Sequence, residues 1–376
     1  MSKQIKNVFD QIFSKENLWE ALQNASRGRR YEPPVLRFNY DGWTNVTDLR
    51  DQIYSGEYEI DKYYIFQIHE PKYRIIMSIA FKHRVVQWAI YQVLNPIFVR
   101  GYINDSYGCI PGRGVISAIL RLESWLDKST RDGKNLYYLK LDISKYFYRI
   151  PHEILKAVLR RRIADERLLS VLFSIIDCKH TCFGLPRGMQ PEDVPMENRL
   201  PEVGMPIGNL MSQMFANLFL NELDQYCKRK LRIKLYERYM DDVIILSESK
   251  QKLHQWETLI DNFLREELQL DLNEKTCIRP AAQGCEFVGF KIRPFQINVR
   301  KSTSLRIKRS LAGIRYGYLH GMYTLEYCTQ VYQSFIGLLK KTDSKQLEKK
   351  VNEEMILCKE HSADGLDQYQ LYQLCA

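Results

Sequence analysis

The sequence predicts an α+β core with helical parts appended to it. Three observations carry that reading. Strand-like and helical stretches alternate through most of the chain, two apolar strand-like runs each border aspartate, and the last part is helical and strongly basic. At 376 residues, 45% hydrophobic and 27% charged, the chain is long enough for two or three packed subdomains with a sizeable core.

Residues 4–25 repeat apolar side chains at helical spacing (Ile5, Phe9, Ile12, Phe13, Leu18, Leu22), and the loop SRGRRYEPP ends that helix. KYRIIMSIAFKHRVVQWAIYQVLNPIF reads as a short strand pair running into a helix that stops at Pro96. SYGCIPGRGVISAI is a Gly/Pro turn opening another helix. NLYYLKLDISKYFYRI has the β-rich look of a central strand with Asp142 at its end, and PHEILKAVLRRRI follows as a helix with a basic C-terminal end. Phe183 to Val203 is a Pro-rich, partly acidic loop, and SQMFANLFLNELDQYCKRKL is an amphipathic helix. Strand, turn and strand are expected around Asp241 and Asp242, then a helix over about 251–268, one short strand at CEFVGFKI, and helix for the remainder. There is no repeat at solenoid periods.

Composition excludes several classes. No run approaches ~20 consecutive apolar residues, so a membrane span is not expected. The N-terminus MSKQIKNVFDQIF lacks an apolar signal region, which places the protein in the cytoplasm. Nine scattered cysteines read as reduced thiols. Cys178, His180 and Cys182 lie close together, but zinc takes about four ligands and no second Cys/His pair stands at ligand spacing. The formal charge is +10, and Lys291–Lys350 alone carries thirteen Lys and Arg against three acids, interleaved with aromatics. Charge alone leaves two readings open, a solvated surface and a surface that tracks phosphates.

Asp241 and Asp242 border the apolar run VIIL, and Asp142 borders YYLKL. If the two strands are neighbours in one sheet, the acids converge at its edge. Converging carboxylates with no local Lys or Arg are best satisfied by divalent cations, and oxygen-only ligands favour Mg²⁺ or Mn²⁺ over zinc. Two such ions roughly 3.5–4 Å apart clamp the attacking and leaving oxygens of an in-line phosphoryl displacement.

With YMDD after a strand, LDISKYF upstream and GMPIGNLMSQMFANLFLNELD between them, the sequence resembles a reverse transcriptase. PKYRIIMSIAFKHRVVQ and SYGCIPGRG resemble that family's fingers, and LNEKTCIRPAAQGCEFVGFKI its late palm motifs. The resemblance implies a right-hand polymerase: fingers over residues 1–135, a palm of antiparallel sheet plus helices over 136–296 and a helical thumb with a C-terminal tail over 297–376. It implies RNA-templated DNA synthesis with two Mg²⁺ ions, Mn²⁺ being a substitute. Asp142 and Asp241 would bind both metals and Asp242 would complete the cluster. Phe147 would block a ribose 2′-hydroxyl, which makes dNTPs the substrates. Lys72 and Arg74 would hold the triphosphate, with Arg113 and Arg84 as weaker candidates, and Lys275 would protonate the leaving pyrophosphate. Lys301, Arg306, Lys308 and Arg309, with Arg113, would grip the template RNA and primer.

One motif departs from the commonest form. Most reverse transcriptases read QGxxxSP where this chain has Ile207, Gly208, Asn209, Leu210, Met211, Ser212 and Gln213. IGxxxSQ resembles the enzymes of diversity-generating retroelements, whose cDNA is mutated mainly opposite adenines. Gly208 keeps the close backbone approach a nucleotide pocket needs. Ile207 replaces a hydrogen-bonding amide by an apolar side chain, and apolar contacts discriminate weakly. The resemblance also implies a small basic accessory protein. The long Pro-rich loop leaves room for a defence-associated bacterial reverse transcriptase working with a noncoding RNA. Template-independent synthesis and a non-catalytic, maturase-like RNA-binding module are the remaining alternatives.

Overall fold

The computed structural model describes residues 4–68, 74–354, 356–359 and 370–373. The first expected helix is two: α1 (Phe9–Ile12) and α2 (Lys15–Ser26). They break at Ser14, whose extended backbone and hydroxyl cap the second helix by accepting from the Asn17 amide. Two further helices, α3 (Pro33–Tyr40) and α4 (Gly42–Ser55), lie where no element was expected, and α4 ends at Gly56 in the left-handed conformation.

The strand pair β1 (Tyr64–Ile68) and β2 (Arg74–Ser78) is antiparallel, from Tyr64↔Ser78 to Ile68↔Arg74. Helix α5 (Phe81–Val99) follows, and it runs through Pro96 instead of stopping there. A proline in the last turn costs little more than one helix hydrogen bond, and the buried Leu94, Asn95 and Phe98 hold that turn against the core. Next come β3 (Ser106–Tyr107), α6 (Val115–Arg131), β4 (Tyr137–Asp142), α7 (Tyr146–Arg149), α8 (His152–Arg162) and α9 (Glu166–Asp177). Helix α10 (Leu210–Gln225) is buried nearly all round rather than amphipathic. Strands β5 (Tyr236–Tyr239) and β6 (Asp242–Ser247) precede α11 (Lys250–Glu267) and β7 (Cys277–Pro280). CEFVGFKI is a hairpin rather than one strand: β8 (Cys285–Phe287) and β9 (Phe290–Arg293) turn at Val288 and Gly289, both at positive φ, and β10 (Gln296–Val299) extends the sheet. Helices α12 (Lys301–Leu319), α13 (Leu325–Leu339) and α14 (Lys345–Glu354) follow, and then a strand pair rather than helix, β11 (Ile356–Lys359) with β12 (Gln370–Gln373).

The principal sheet has five strands in the order β3-β5-β6-β4-β7. β4 pairs antiparallel with β7, but β3 runs parallel to β5, so the sheet is not wholly antiparallel. The chain divides into two compact units: residues 1–110, 141–243 and 255–276 form one, and 111–140, 244–254 and 277–376 the other. In the first, α2 and α10 both pack on α5. In the second, Ile307, Leu311, Ile314, Cys328, Tyr332, Leu339 and Val351 build a core of α12, α13 and α14. No helix among the described residues is long and apolar enough to cross a membrane.

Candidate active site

The site is built on the two residues that join β5 to β6. The first, Met240, has φ 53°, a left-handed conformation that an unbranched side chain tolerates only when its surroundings impose it. The restraint comes from Arg238 on β5. Its guanidinium donates to the Met240 carbonyl at 2.9 Å, to Asn217 Oδ1 at 3.1 Å and to Ser106 Oγ at 2.9 Å. It also forms a two-pronged pair with Asp224 of α10, Nε to Oδ1 at 2.8 Å and Nη2 to Oδ2 at 2.7 Å. Tyr236 donates to the same Asp224 carboxylate at 2.7 Å, and both members of the pair are fully buried. Burial disfavours the guanidinium charge, but Asp224 more than offsets this and raises the Arg238 pKa. Asn217 in turn donates through Nδ2 to the carbonyl of Gly108, just past β3, at 2.9 Å.

Asp142 closes β4 and is half-buried. Its carbonyl accepts from the Asn273 amide at 2.7 Å, and Ser144 donates to the Asp271 carbonyl at 2.8 Å. Residues 271–273 therefore lie antiparallel beside 142–144, with the bridge Ile143↔Leu272 between them. Lys275 stands exposed two residues further on, its amide donating to Asn273 Oδ1 at 3.1 Å.

Electrostatics tie the acids together. The Asp241 carboxyl is pushed up to about 6: burial is the largest cause, and the charges of Asp242 and Asp142 add to it. Its own amide and Arg74 act in the opposite direction. The sequence reading saw no cation near these acids. Folding brings one, Arg74 of β2.

The other expected nucleotide-pocket residues of this unit have their own local supports. Phe147 is half-buried on α7, edge-on to Tyr146 with ring centroids 5.6 Å apart, and Tyr146 is anchored to the Ala216 carbonyl of α10 at 2.6 Å. The Ile207–Asn209 segment is laced to β2: Met77 donates to the Ile207 carbonyl at 3.2 Å and Asn209 Nδ2 to the Met77 carbonyl at 2.9 Å. Between them Gly208 has φ 101°, and a Cβ there would stand 3.3 Å from Ile76 Cγ2. Both conformation and space call for glycine. Ile207 is half-buried against a cluster of Tyr148, Leu185 and Val194. Gln213 is half-buried in the first turn of α10.

Other expected residues fall elsewhere. Lys72 lies outside the described residues. Arg84 donates to Ser78 Oγ at 2.8 Å, a bond that pins it to β2. Arg113, half-buried before α6, belongs to the second unit, as do exposed Lys301, Arg306 and Arg309 and half-buried Lys308 on α12. Sequence reasoning missed Arg238 and Asp224. An arginine in YERY, directly before the turn and the apolar run VIIL, was the available signal, since a buried cation needs a buried anion.

Oxygen-only donors from three aspartates, one of them desolvated, fit a divalent cation by donor type. Among the described residues no three His, Cys, Asp or Glu side chains are close enough together to enclose one.

Residues 67–292 match the family model described as reverse transcriptase (RNA-dependent DNA polymerase). The chain belongs to the reverse transcriptase family. Its α+β fold is that family's right-hand polymerase fold. Protein YkfC of Escherichia coli is 30% identical over 195 residues, covering 51% of this chain and 45% of that protein. The group II intron-encoded protein LtrA of Lactococcus lactis is 20% identical over 367 residues, covering 80% of this chain and 54% of that protein. The chain thus spans about half the length of these relatives. A solved telomerase from Candida albicans, in complex with a fragment of telomeric RNA, has a TM-score of 0.48 at 12% identity, covering 80% of this chain and 58% of that one.

Proposed function

We propose that this reverse transcriptase makes cDNA from a dedicated RNA template and belongs to the low-fidelity, diversity-generating type. The observation that carries the polymerase reading is the electrostatic coupling of Asp241 to Asp142 and Asp242 in a site dry enough to lift its pKa to about 6. Asp142 and Asp241, completed by Asp242, would hold two Mg²⁺ ions or Mn²⁺ in their place. Divalent cations bound there supply Lewis-acid activation and neutralise phosphate charge.

The chain's own residues do the rest. A primer 3′-oxygen attacks the α-phosphate of the dNTP, and the bond to pyrophosphate breaks as the new ester forms. Arg74 and Lys72 bind the triphosphate by charge-assisted hydrogen bonds. Lys275 gives a proton to the departing pyrophosphate. Phe147 occupies the space a 2′-hydroxyl would need, and Gly208 lets the backbone come close to the nucleotide. The fingers, palm and thumb fall at about 1–135, 136–296 and 297–376, and the basic face of α12 and Arg113 track the template–primer backbone. Template RNA, a primer, a noncoding RNA and a small basic accessory protein are the partners of this reading.

The low-fidelity assignment rests on Ile207, whose side chain offers the pocket no hydrogen bond and packs on apolar neighbours instead. A defence role with a noncoding RNA is the second reading, for which the length of the Pro-rich loop at 183–203 leaves room. The test is primer extension on a defined RNA template with one dNTP supplied at a time. Each dNTP should extend the primer where the template calls for it, with excess errors opposite adenine. Homopolymer runs that ignore the template would overturn the reading.

A further inference from the structure

The loop from Phe183 to Val203 is rich in proline, yet it folds tightly against the segment that follows Phe147 and against Ile207. Gly184 and Leu200 pair through both amides, at 3.0 and 3.1 Å, and pinch the loop shut at its base. Gly204 packs so close to Gly184 that a Cβ on it would lie 2.9 Å from the Gly184 Cα. Inside the loop Arg199 is only 3% exposed. Its Nε donates to the Val194 carbonyl at 3.1 Å and its Nη2 to the Pro191 carbonyl at 2.7 Å, while the guanidinium lies 5.4 Å from the centre of the Tyr148 ring. A planar fork can do all three at once, which an ammonium cannot.

The residues at the loop's two ends grip the segment that carries Phe147. The Leu185 amide donates to the Tyr148 carbonyl at 3.2 Å, Met205 to Phe147 at 2.7 Å and Gly204 to Ile150 at 2.8 Å. On the side-chain level, Leu185 and Val194 bury Tyr148, and Ile207 packs against the same cluster. Phe147 is thus held through Met205 just past the loop and through its neighbour Tyr148, which Leu185 and Val194 of the loop grip, and Ile207 packs on the same cluster. Phe147 and Ile207 are the two residues assigned to nucleotide choice.

We propose that the Phe183–Val203 loop is a selectivity brace, with Val194 and Arg199 as positioning residues that set ribonucleotide rejection through Phe147 and base discrimination through Ile207. The inference rests on the polymerase reading above. Exclusion of a 2′-hydroxyl is a steric test with sub-ångström tolerance, so a small shift of Phe147 relaxes it while the aspartates continue to work. Removing the Val194 methyls leaves a void beneath Tyr148 and Ile207 into which both can settle.

The experiment is single-nucleotide insertion by the full chain, comparing kcat and KM for a dNTP and the matching rNTP. The proteins are wild type, Val194→Ala, Arg199→Met and Arg199→Lys, with Val35→Ala as an equal truncation in α3. In Val194→Ala and Arg199→Met the dNTP-over-rNTP preference should fall ~10-fold, mainly through a lower rNTP KM, with kcat for the dNTP within about threefold of wild type. Arg199→Lys should fall between them and wild type, and Val35→Ala should leave the preference unchanged. A preference within about twofold of wild type in Val194→Ala, or an equal loss in Val35→Ala, overturns the brace. Should Arg199→Met fail to fold, Val194→Ala decides alone. A wild type that extends no primer overturns the polymerase reading itself, and the brace with it.

Discussion

The buried pair Arg238–Asp224 gives the sharpest expectation about how the fold serves the site. Both side chains are at 0% exposure, and five donor–acceptor contacts of 2.7 to 3.1 Å satisfy the guanidinium. Arg238→Met removes the cation and leaves Asp224 charged with Tyr236 as its remaining recorded donor. Stranding one member of a buried pair costs about 3–5 kcal/mol. Arg238→Met combined with Asp224→Asn removes both charges, so it should recover most of that loss, giving a coupling of at least ~3 kcal/mol in a double-mutant cycle. The double variant still lacks the bond to the Met240 carbonyl, and Met240 at φ 53° then has no such anchor. Its turn should relax and displace Asp241, with kcat for primer extension falling ~10-fold or more while the protein remains folded. Denaturant unfolding followed by steady-state extension separates the two effects. A double variant as stable as expected and as active as wild type would refute the idea that Arg238 holds the catalytic turn.

Three further outcomes are expected. In the metal-free protein the Asp241 pKa is raised from 3.8 to about 6, so the folded state binds more protons and stability declines as pH rises through that interval. Asp241→Asn should therefore be the more stable protein above pH ~6, by on the order of 3 kcal/mol, with the gap closing towards pH ~4, and Mg²⁺ should stabilise wild type selectively in melting curves. Gly208→Ala meets Ile76 Cγ2 at 3.3 Å and an unfavourable φ of 101°, and should cost about 1–2 kcal/mol of stability with a raised dNTP KM in steady-state kinetics. Ile207→Gln should lower misincorporation opposite adenine, read by sequencing the products; unchanged infidelity would remove Ile207 from the specificity account.

The acids stood out in the sequence because Asp241 and Asp242 border the apolar run VIIL and Asp142 ends YYLKL, and a carboxylate at the edge of a buried strand is costly to desolvate. The hairpin turn around Asp241 and the helix after Gly208 were legible for the same local reasons. What stayed hidden depends on non-local contacts. Nothing in YERY says that Asp224 rather than another acid meets Arg238, because the partner lies on a helix fourteen residues away. Helix α10 was read as amphipathic, but its polar residues Asn217, Asn221 and Asp224 point into the core, where Asn217 and Asp224 bind Arg238. The helix through Pro96 outlasts its local signal because Leu94 and Asn95 before the proline and Phe98 after it are buried and hold it. CEFVGFKI hid a turn because Val288, a β-branched residue, sits at φ 41°. The order within Phe183–Val203 comes from Arg199, which composition could not single out from the chain's other arginines.

The central claim is that Asp142, Asp241 and Asp242 together carry out nucleotidyl transfer on an RNA template. Its most direct test is extension of a labelled primer on an RNA template with Mg²⁺, by wild type and by Asp142→Asn, Asp241→Asn and Asp242→Asn proteins that melt at or above the wild-type temperature without metal. Wild type should extend the primer, and the Asp142 and Asp241 variants should lose at least ~10³-fold in rate, with RNA binding retained. Extension by Asp241→Asn at the wild-type rate would contradict the claim.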